Sequence, residues 1–389
     1  MDSFVFHSPT KILFGKYSIE KIGAEIKNYG VNKVLILFGG GSVKINGVYE
    51  RTKKSLSDYG VADIEFWGIQ PNPLVSKVRE AISIAKDVEN GIEGILAVGG
   101  GSVIDSAKAV GIGVKYQGDI WDIFEDVKKK PNKGLPVFTV LTISATASEM
   151  DIGAVLSNPE KKLKIGIQIG FPVISAIDPS VQFSLPWRQI MCGAVDSLSH
   201  LMEQYFSRPN ESITSRQINL ALQKSIIECV KKIKSNNEDY NARANFAWSV
   251  GQALFGFTKP GLSGDQNIHY IEHAMSAYNE KIAHGEGLAV ISDAYYPILY
   301  KRGIASDQFE EWAQTVFGTN SVDEALKKFH DLYIFWETPL KLNDIQLNGN
   351  DIDAIVDIFD RQQKIKRPSA IWPLSKEDAK EILKAILKK

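Results

Sequence analysis

Residues 94–102 of this chain of 389 residues read Gly-Ile-Leu-Ala-Val-Gly-Gly-Gly-Ser, and they decide its fold class. The apolar run from Gly94 to Val98 is typical of a strand that lies buried on both faces of a parallel sheet. Three glycines and a serine end the run, and residues 103–109 have the composition of a helix. A strand that leads through a glycine turn into a helix is the first half of a βαβ unit.

The same unit occurs earlier in the chain. Residues 33–38 form another apolar run, which ends in Gly39-Gly-Gly-Ser42, and residues 48–59 have the spacing of an amphipathic helix. Further short elements complete the pattern: predicted strands at 62–67 and 136–141, and a predicted helix at 74–88. Strands and helices in alternation predict a parallel, doubly wound sheet.

The pattern changes after Pro186. Helical stretches then dominate, at 187–206, 211–234, 240–256, 266–279, 286–301 and 376–389. A chain of this length exceeds one ordinary core, so we predict two domains. These are an α/β N-terminal domain of residues 1–184 and an all-α C-terminal domain of residues 185–389. At the N-terminus, residues 4–14 alternate around a proline turn, which predicts a hairpin or paired edge strands.

The two glycine turns indicate a dinucleotide site. A triple glycine after a strand lets backbone N–H groups approach a pyrophosphate, and the following helix adds its positive end. One such turn could be purely structural, but two of them favour binding, although neither matches Gly-x-Gly-x-x-Gly. No acidic residue follows the first strand to accept the ribose hydroxyl of NAD. Ser42 and Lys44 could instead bind a 2′-phosphate, so we predict NADP(H).

Four of the six histidines lie between residues 200 and 284. Asp196 and His200 are four residues apart and share one helical face, and His269 and His273 repeat this spacing. His284 follows in a glycine-rich turn. Three imidazoles and one carboxylate suit a divalent transition metal with a position open to substrate. The alternative is that His269 and His273 are both core histidines with no metal. If there is a metal site, only one of the two need be a ligand, since Asp196, His200 and His284 supply the rest.

The composition excludes several classes of function. The net charge of −1 gives no attraction to nucleic acid or to an acidic membrane surface. No apolar run approaches the roughly 20 residues that span a bilayer. Two cysteines suit a reducing compartment, and the N-terminal residues lack the features of a signal peptide, so we expect a cytoplasmic protein.

Several motifs together resemble the iron-containing (group III) alcohol dehydrogenase family, in its branch of butanol dehydrogenases and NADPH-dependent aldehyde reductases. The resemblance covers essentially the whole chain. The matching motifs are Gly39-Gly-Gly-Ser-Val-Lys44, Pro71-Asn-Pro73, Gly99-Gly-Gly-Ser-x-x-Asp-Ser-x-Lys108, Thr142-x3-Thr146-x-Ser-Glu149, Asp178-Pro179, Gly193-x2-Asp-x-Leu-Ser-His-x2-Glu203, His269-x3-His273 and His284-Gly285.

The resemblance implies a Rossmann-like domain and a helical domain, as in dehydroquinate synthase. It implies that the metal ligands are Asp196, His200, His269 and His284, and that His273 lies beside the substrate. It also implies a set of cofactor contacts: Gly39, Gly40, Gly41 and Ser42 at the adenosine phosphate end, Gly99, Gly100, Gly101, Ser102 and Asp105 at the pyrophosphate, and Asn72, Thr139, Thr142 and Lys164 along the cofactor. The usual Gly-Thr-Gly-Ser-Glu is replaced here by Ala145-Thr-Ala-Ser-Glu149.

We therefore expect an NADP(H)-dependent alcohol dehydrogenase that works as an aldehyde reductase on a small primary alcohol or aldehyde, such as butanol or butanal. Fe²⁺ is the expected metal, with Zn²⁺ or another divalent transition metal as the alternative. One rival is a zinc- and NAD-dependent polyol dehydrogenase of the glycerol type, and another is a metal-binding nucleotide sensor without turnover. We expect a homodimer that pairs through the N-terminal strand. Aromatic residues that could line an apolar pocket are Trp248, Phe255, Phe257 and Tyr270.

Overall fold

The computed structural model describes residues 3–206, 212–254, 256–258, 260, 266–365 and 372–387. The N-terminal half contains β1 (Lys11–Phe14), α1 (Ile22–Asn28), β2 (Lys33–Phe38), α2 (Ser42–Ile45), α3 (Val48–Asp58), β3 (Ala62–Phe66), α4 (Val75–Lys86), β4 (Gly94–Gly99), α5 (Gly101–Gly113), α6 (Ile120–Glu125), β5 (Val137–Leu141), β6 (Gly153–Asn158), β7 (Leu163–Gln168) and β8 (Ile174–Ile177).

The C-terminal half is helical wherever the structure describes regular elements. They are α7 (Trp187–Tyr205), α8 (Ile213–Ser235), α9 (Tyr240–Ala253), α10 (Asn267–Tyr278), α11 (His284–Lys301), α12 (Ser306–Phe317), α13 (Val322–Phe335), α14 (Ile352–Ile365) and α15 (Lys376–Leu387). Short 3-10 turns lie at Ile19–Lys21, Val88–Asn90, Val127–Lys129, Pro179–Gln182, Gly256–Thr258 and Leu342–Ile345.

The sheet of the N-terminal half has six strands in the order β1-β8-β5-β4-β2-β3, and all neighbouring pairs are parallel. Along β2, Leu35 and Leu37 pack into the core on one face, whereas Val34 and Ile36 pack into the core on the other. Burial on both faces explains the continuous apolar runs in the sequence. The predicted fold class, a doubly wound α/β domain joined to a helical domain, is confirmed.

Parallel pairing places the carboxyl ends of β2 and β4 at one edge of the sheet. Both glycine turns therefore lie at this edge, where doubly wound folds bind their ligands. The helices α7, α10 and α11 pack against one another in the helical half, whose core is a separate apolar cluster from Ile190 to Ile386. Since α7 begins at Trp187, we retain the division into residues 1–184 and 185–389 as a proposal.

The hairpin predicted across residues 4–14 is wrong. Only Lys11–Phe14 forms a strand, and it pairs in parallel with β8 rather than with the residues before it. The register follows from two hydrogen bonds, since Thr10 Oγ1 donates to the carbonyl of Pro172 and the Lys11 N–H donates to Val173. The antiparallel hairpin that does exist joins β6 and β7, and the sequence analysis missed it.

The β6–β7 hairpin stands outside the main sheet and contacts the helical half. Its strand β7 packs on α10 and α14. The hairpin thus carries side chains of the N-terminal half to the helices that hold the histidines. Among the described residues, every helix is too short or too polar to cross a bilayer.

Candidate metal centre and cofactor cleft

A cavity of about 1190 Å³ lies between the carboxyl edge of the sheet and the helical half. The sheet side contributes both glycine turns, and the helical side contributes the aspartate and the four histidines singled out in the sequence. This volume is larger than that of most small-molecule sites, which is roughly 300–1,000 Å³. The cavity therefore has room for a dinucleotide and a small substrate together.

The second glycine turn leads directly into the thirteen-residue helix α5. A Cβ at Gly100 would lie 2.3 Å from Ile143 Cγ2, and one at Gly101 would lie 2.3 Å from Thr146 Oγ1. The lack of a side chain at these two glycines thus lets the turn pack closely against residues 143–146, and the backbone of the turn faces the cavity. The exposed backbone and the positive end of α5 suit a pyrophosphate.

The first glycine turn is open rather than packed. A Cβ at Gly40 or Gly41 would meet no atom within 4 Å, so space next to the turn is free for a ligand. Lys44 is not part of the cavity lining. Its Nζ lies 4.4 Å from the ring centroid of Trp67 and 5.1 Å from that of Tyr49. A bound 2′-phosphate would have to draw this ammonium away from the two rings.

Most of the expected cofactor contacts line the cavity. They are Gly39, Gly40, Ser42, Asn72, Gly99, Gly100, Gly101, Ser102, Asp105, Thr142 and Lys164. Gly41 and Thr139 are not part of the lining. Thr139 lies in the middle of β5 and is completely buried by the neighbouring strands. Contact between Thr139 and the cofactor stays a prediction of the family resemblance.

Asp105 is fixed at the start of α5 by two hydrogen bonds. Its Oδ1 accepts from Ser148 Oγ at 2.5 Å, and its Oδ2 accepts from the N–H of Val155 at 2.9 Å. Burial raises the pKa of this carboxyl to about 6. Asp105 thus ties the second glycine turn to the loop at Ser148 and to β6.

The candidate metal ligands converge on one carboxylate oxygen. Measured from Asp196 Oδ1, the Nε2 atoms of His269, His200 and His284 lie at 3.4, 3.6 and 3.6 Å. The helix α7 supplies Asp196 and His200, α10 supplies His269, and His284 is the first residue of α11. Three helices thus bring four ligand atoms to one point on the cavity wall.

These spacings fit a first-row transition metal. Two ligand atoms at about 2.1 Å from a tetrahedral ion are about 3.4 Å apart. The three distances around Asp196 Oδ1 are close to this value. Imidazoles and a carboxylate are ligands that both Fe²⁺ and Zn²⁺ accept. The residues present therefore fit a divalent ion.

Two buried glutamates hold the outer nitrogens of two of these histidines. His269 Nδ1 contacts Glu203 Oε2, and His284 Nδ1 contacts Glu272 Oε2. Such carboxylates fix the tautomer and the ring orientation of metal-binding histidines. Sequence reasoning assigned no role to Glu203 or Glu272. Their spacing gave only a partial signal. Each follows a candidate ligand histidine by three residues on the same helix, but the imidazole that each contacts lies on another helix.

The charges at the centre are mutually supporting. Burial opposes ionisation of Asp196, but the neighbouring His200, His284 and His269 hold its pKa below the ordinary value. Burial also disfavours the charged form of His269, yet Glu203 and Asp196 raise its pKa to about 10. Binding of a divalent ion to His269 at neutral pH would therefore displace a proton.

Lys164 connects this centre to the N-terminal half. Its Nζ donates to Asn72 Oδ1 at 2.9 Å and to Glu272 Oε2 at 3.0 Å. Burial would raise the pKa of Glu272, but His284 and Lys164 lower it to about 2. Glu272, His273 and His284 are also spaced like a metal site. The ammonium of Lys164 contacts two of these three side chains, at Glu272 Oε2 and His284 Nδ1, and its charge disfavours a second cation there.

His273 follows His269 by one helical turn and lines the cavity. Its ring centroid lies 6.4 Å from that of His269 and 5.7 Å from that of His284. Of the four aromatic residues considered for the pocket, Tyr270 lines the cavity. Trp248 and Phe257 are about half exposed. Trp248 meets Phe14 edge-on, Phe257 lies tilted against Phe6, and Phe255 lies outside the described residues.

Two family models match successive parts of the chain. The model for iron-containing alcohol dehydrogenases matches residues 9–179, and the C-terminal model of the Fe-containing alcohol dehydrogenase family matches residues 190–387. The chain belongs to the iron-containing alcohol dehydrogenase family. Membership implies a divalent metal and a nicotinamide cofactor, which agrees with the two halves of the cavity.

Relatives of this family match over nearly their whole length. The chain is 34% identical over 397 residues to NADH-dependent butanol dehydrogenase A of Clostridium acetobutylicum, covering 99% of both chains. It is 31% identical over 366 residues to the NADPH-dependent aldehyde reductase YqhD of Escherichia coli, covering 92% of both. The crystal structure of NADH-dependent butanol dehydrogenase A from Thermotoga maritima matches with a TM-score of 0.94 and 42% identity, over 100% of this chain and 99% of that one.

These relatives place this family member among the alcohol dehydrogenases and aldehyde reductases, which are oxidoreductases acting on small alcohols and aldehydes. Their names divide over the cofactor, since two specify NADH and one specifies NADPH. The chemical class is thus established by the comparisons, and the resemblance noted in the sequence is confirmed.

Proposed function

We propose that this chain reduces a small primary aldehyde, such as butanal, to its alcohol with NADP(H) and a divalent iron ion. The observation that carries the proposal is the convergence of three imidazole Nε2 atoms within 3.4–3.6 Å of Asp196 Oδ1, in a cavity that both glycine turns also line. One cavity can therefore hold a metal, a dinucleotide and a substrate.

In this proposal Asp196, His200, His269 and His284 hold the ion. A bound ion supplies Lewis acidity to the aldehyde oxygen, and a bound nicotinamide supplies the hydride. The protein provides position and electrostatics. Glu203 keeps His269 oriented through its Nδ1, so that the Nε2 of this histidine faces Asp196.

The dinucleotide lies along the carboxyl edge of the sheet in this proposal. The open turn at Gly40 receives the adenosine phosphate end, and the backbone around Gly100 and Gly101 receives the pyrophosphate at the start of α5. Asn72, Thr142 and Lys164 contact its remaining length. Support comes from the position of all these residues on the cavity lining.

His273 delivers the proton that completes the alcohol. Its ring lies next to those of His269 and His284, and its side chain also lines the cavity in which the substrate would bind. An imidazole has an unperturbed pKa near neutrality, at about 6.5, which suits it to proton transfer. His273 then recovers a proton from water in the open part of the cavity.

The choice of NADP(H) is supported by the residues around the first glycine turn. The described carboxylates that line the cavity are Asp105, Asp151, Asp196 and Glu203, and none follows this turn. Ser42 lines the cavity and can donate to a 2′-phosphate. The second candidate is NAD(H), which is favoured by the NADH-dependent names of two relatives.

A comparison of kcat/KM for NADPH and NADH with butanal tests the proposed cofactor. The proposal predicts a preference of at least about tenfold for NADPH, corresponding to about 1.4 kcal/mol. Equal values or a preference for NADH would establish the second candidate. We also propose that edge strand β1 pairs two copies into a homodimer and that the enzyme is cytoplasmic.

A further inference from the structure

Two carboxylate–histidine pairs support the candidate metal centre, but their surroundings differ. Glu203 belongs to the helical half alone, because its Oε1 accepts from the N–H groups of Ile268 and His269 at 2.6 and 3.3 Å. Glu272 instead accepts from Lys164 Nζ of strand β7 at 3.0 Å. Among these described contacts, a side chain of the N-terminal half thus reaches the pair of Glu272 and His284 but not the pair of Glu203 and His269.

The connection continues to the loop that precedes α4. Lys164 Nζ also donates to Asn72 Oδ1 at 2.9 Å, and Asn72 Nδ2 donates to the carbonyls of Glu280 and Ile282, both at 3.1 Å. Asn72 has a left-handed backbone, with φ of 54°, which these bonds help to hold. The segment just before His284 is therefore fastened to the dinucleotide side of the cavity.

This network is buried and charged. Glu272 is fully buried, and Lys164 is 4% exposed. The Lys164 Nζ lies 3.3 Å from His284 Nδ1, the same nitrogen that contacts Glu272 Oε2. A buried charge that loses one partner is costly, so a shift of the ammonium must alter how Glu272 holds the imidazole.

Lys164 and Asn72 also line the cavity beside the glycine turns. We propose that Lys164 and Glu272 are positioning residues that couple binding of the dinucleotide to binding of the metal. This inference rests on the metal and dinucleotide sites of the proposed function. A dinucleotide that orders Lys164 against Glu272 fixes His284 with its Nε2 toward Asp196. The metal then binds more tightly, and by linkage the dinucleotide binds more tightly to the metal-loaded protein.

The test measures metal affinity with and without dinucleotide, so it does not depend on turnover. Metal-free protein is titrated with Co²⁺ in competition with a chromophoric chelator, in the absence and presence of saturating NADPH and without aldehyde. For the unmodified chain we expect Co²⁺ to bind at least about fivefold more tightly when NADPH is present. The same factor is expected for the affinity of NADPH when Co²⁺ is present.

The matched pair of variants is Glu272→Gln and Glu203→Gln. Both remove a carboxylate from a ligand histidine, so both should weaken Co²⁺ binding by about 10–100-fold. Only Glu272→Gln and Lys164→Met should reduce the NADPH effect to a factor near one, since Glu203 does not contact Lys164. Lys164→Arg keeps the charge and should restore at least part of the effect, which separates coupling from a loss of folding.

An NADPH effect that survives in Glu272→Gln, or that is lost equally in Glu203→Gln, would overturn the inference. The inference would also be overturned if the unmodified chain bound both Co²⁺ and NADPH but its Co²⁺ affinity were the same with and without NADPH. Failure of the proposed function gives a different result, because Co²⁺ would then bind the unmodified chain no better than His200→Ala.

Discussion

The Nε2 atom of His269 lies 3.4 Å from Oδ1 of Asp196, although 73 residues separate the two in the sequence. The contact joins α7 to α10 inside the helical half, and His200 and His284 approach the same oxygen. This arrangement is the basis for the proposal that the four residues form one metal site, and it gives the first prediction.

His200→Ala should abolish stoichiometric metal binding and lower aldehyde reduction by at least about 100-fold, because one ligand is lost and Asp196 keeps an unbalanced charge. Metal content by elemental analysis and turnover with butanal are the measurements. His330→Ala is the control, since His330 also pairs with a buried aspartate, Asp293, but lies outside the cavity lining. Equal metal content in the two variants would contradict the assignment.

His273→Ala should lower turnover by about 100-fold while the metal stays bound, because the residue transfers a proton and is not a ligand. Turnover is measured across pH, together with metal content. Because a proton donor works only in its protonated form, the fall in turnover at high pH that the unmodified enzyme owes to this imidazole should vanish from the kcat profile of the variant. Loss of stoichiometric metal would instead make His273 a ligand.

Gly285→Ala should damage the metal centre without touching a ligand. A Cβ there would lie 2.5 Å from the Cα and the carbonyl oxygen of Cys192, which are backbone atoms of α7. The start of α11, and His284 with it, must then move away from Asp196. We expect the free energy of unfolding to fall by about 1–3 kcal/mol, with reduced metal affinity.

Gly40→Ala is the matched control, because its Cβ would meet no atom within 4 Å. The free energy of unfolding should change by less than about 0.5 kcal/mol. The metal content should equal that of the unmodified chain within the error of the assay. The affinity for NADPH should fall, since the new methyl group enters the space proposed for the cofactor. Unchanged NADPH affinity would remove the first glycine turn from the proposed site.

Glu149 makes stability depend on pH. Burial, with the charge of Asp151, raises the pKa of this carboxyl from 4.5 to about 7, and its Oε1 has no hydrogen-bond partner among the described residues. Between these two values the unfolded chain loses a proton that the folded protein keeps. Its contribution to stability is therefore complete below pH 4.5, falls as the pH rises to about 7, and is constant above.

Glu149→Gln cannot ionise and removes this dependence. Relative to the unmodified chain, the variant should gain about 3 kcal/mol in the free energy of unfolding between about pH 4.5 and pH 8. Urea denaturation of both proteins at the two pH values provides the measurement. A constant difference between the proteins would show that Glu149 is ionised in the folded state.

Much of the fold could be predicted from the sequence because local signals agreed with the tertiary structure. The apolar runs at 33–38 and 94–98 are buried on both faces and end in glycine turns, as parallel strands require. The hairpin at 4–14 failed because pairing with β8 depends on residues more than 160 positions away. Alternation alone does not identify the partner of a strand.

The candidate site likewise has features that the sequence predicted and features that it did not. Helical spacing related Asp196 to His200, but the proposed roles of Glu203 and Glu272 depend on contacts with histidines on other helices. Thr139 fits a family pattern yet lies inside the sheet, since its position along β5 decides its exposure. The contacts and the burial of these residues depend on tertiary packing, which a single sequence does not display.

The most direct test of the central claim is butanal-dependent oxidation of NADPH by anaerobically purified protein, before and after metal chelation and after addition of Fe²⁺ or Zn²⁺. The account predicts activity that disappears on chelation and returns with at least one of the two ions. Activity indifferent to chelation would mean that Asp196 and the three histidines are structural, and it would contradict the proposed mechanism.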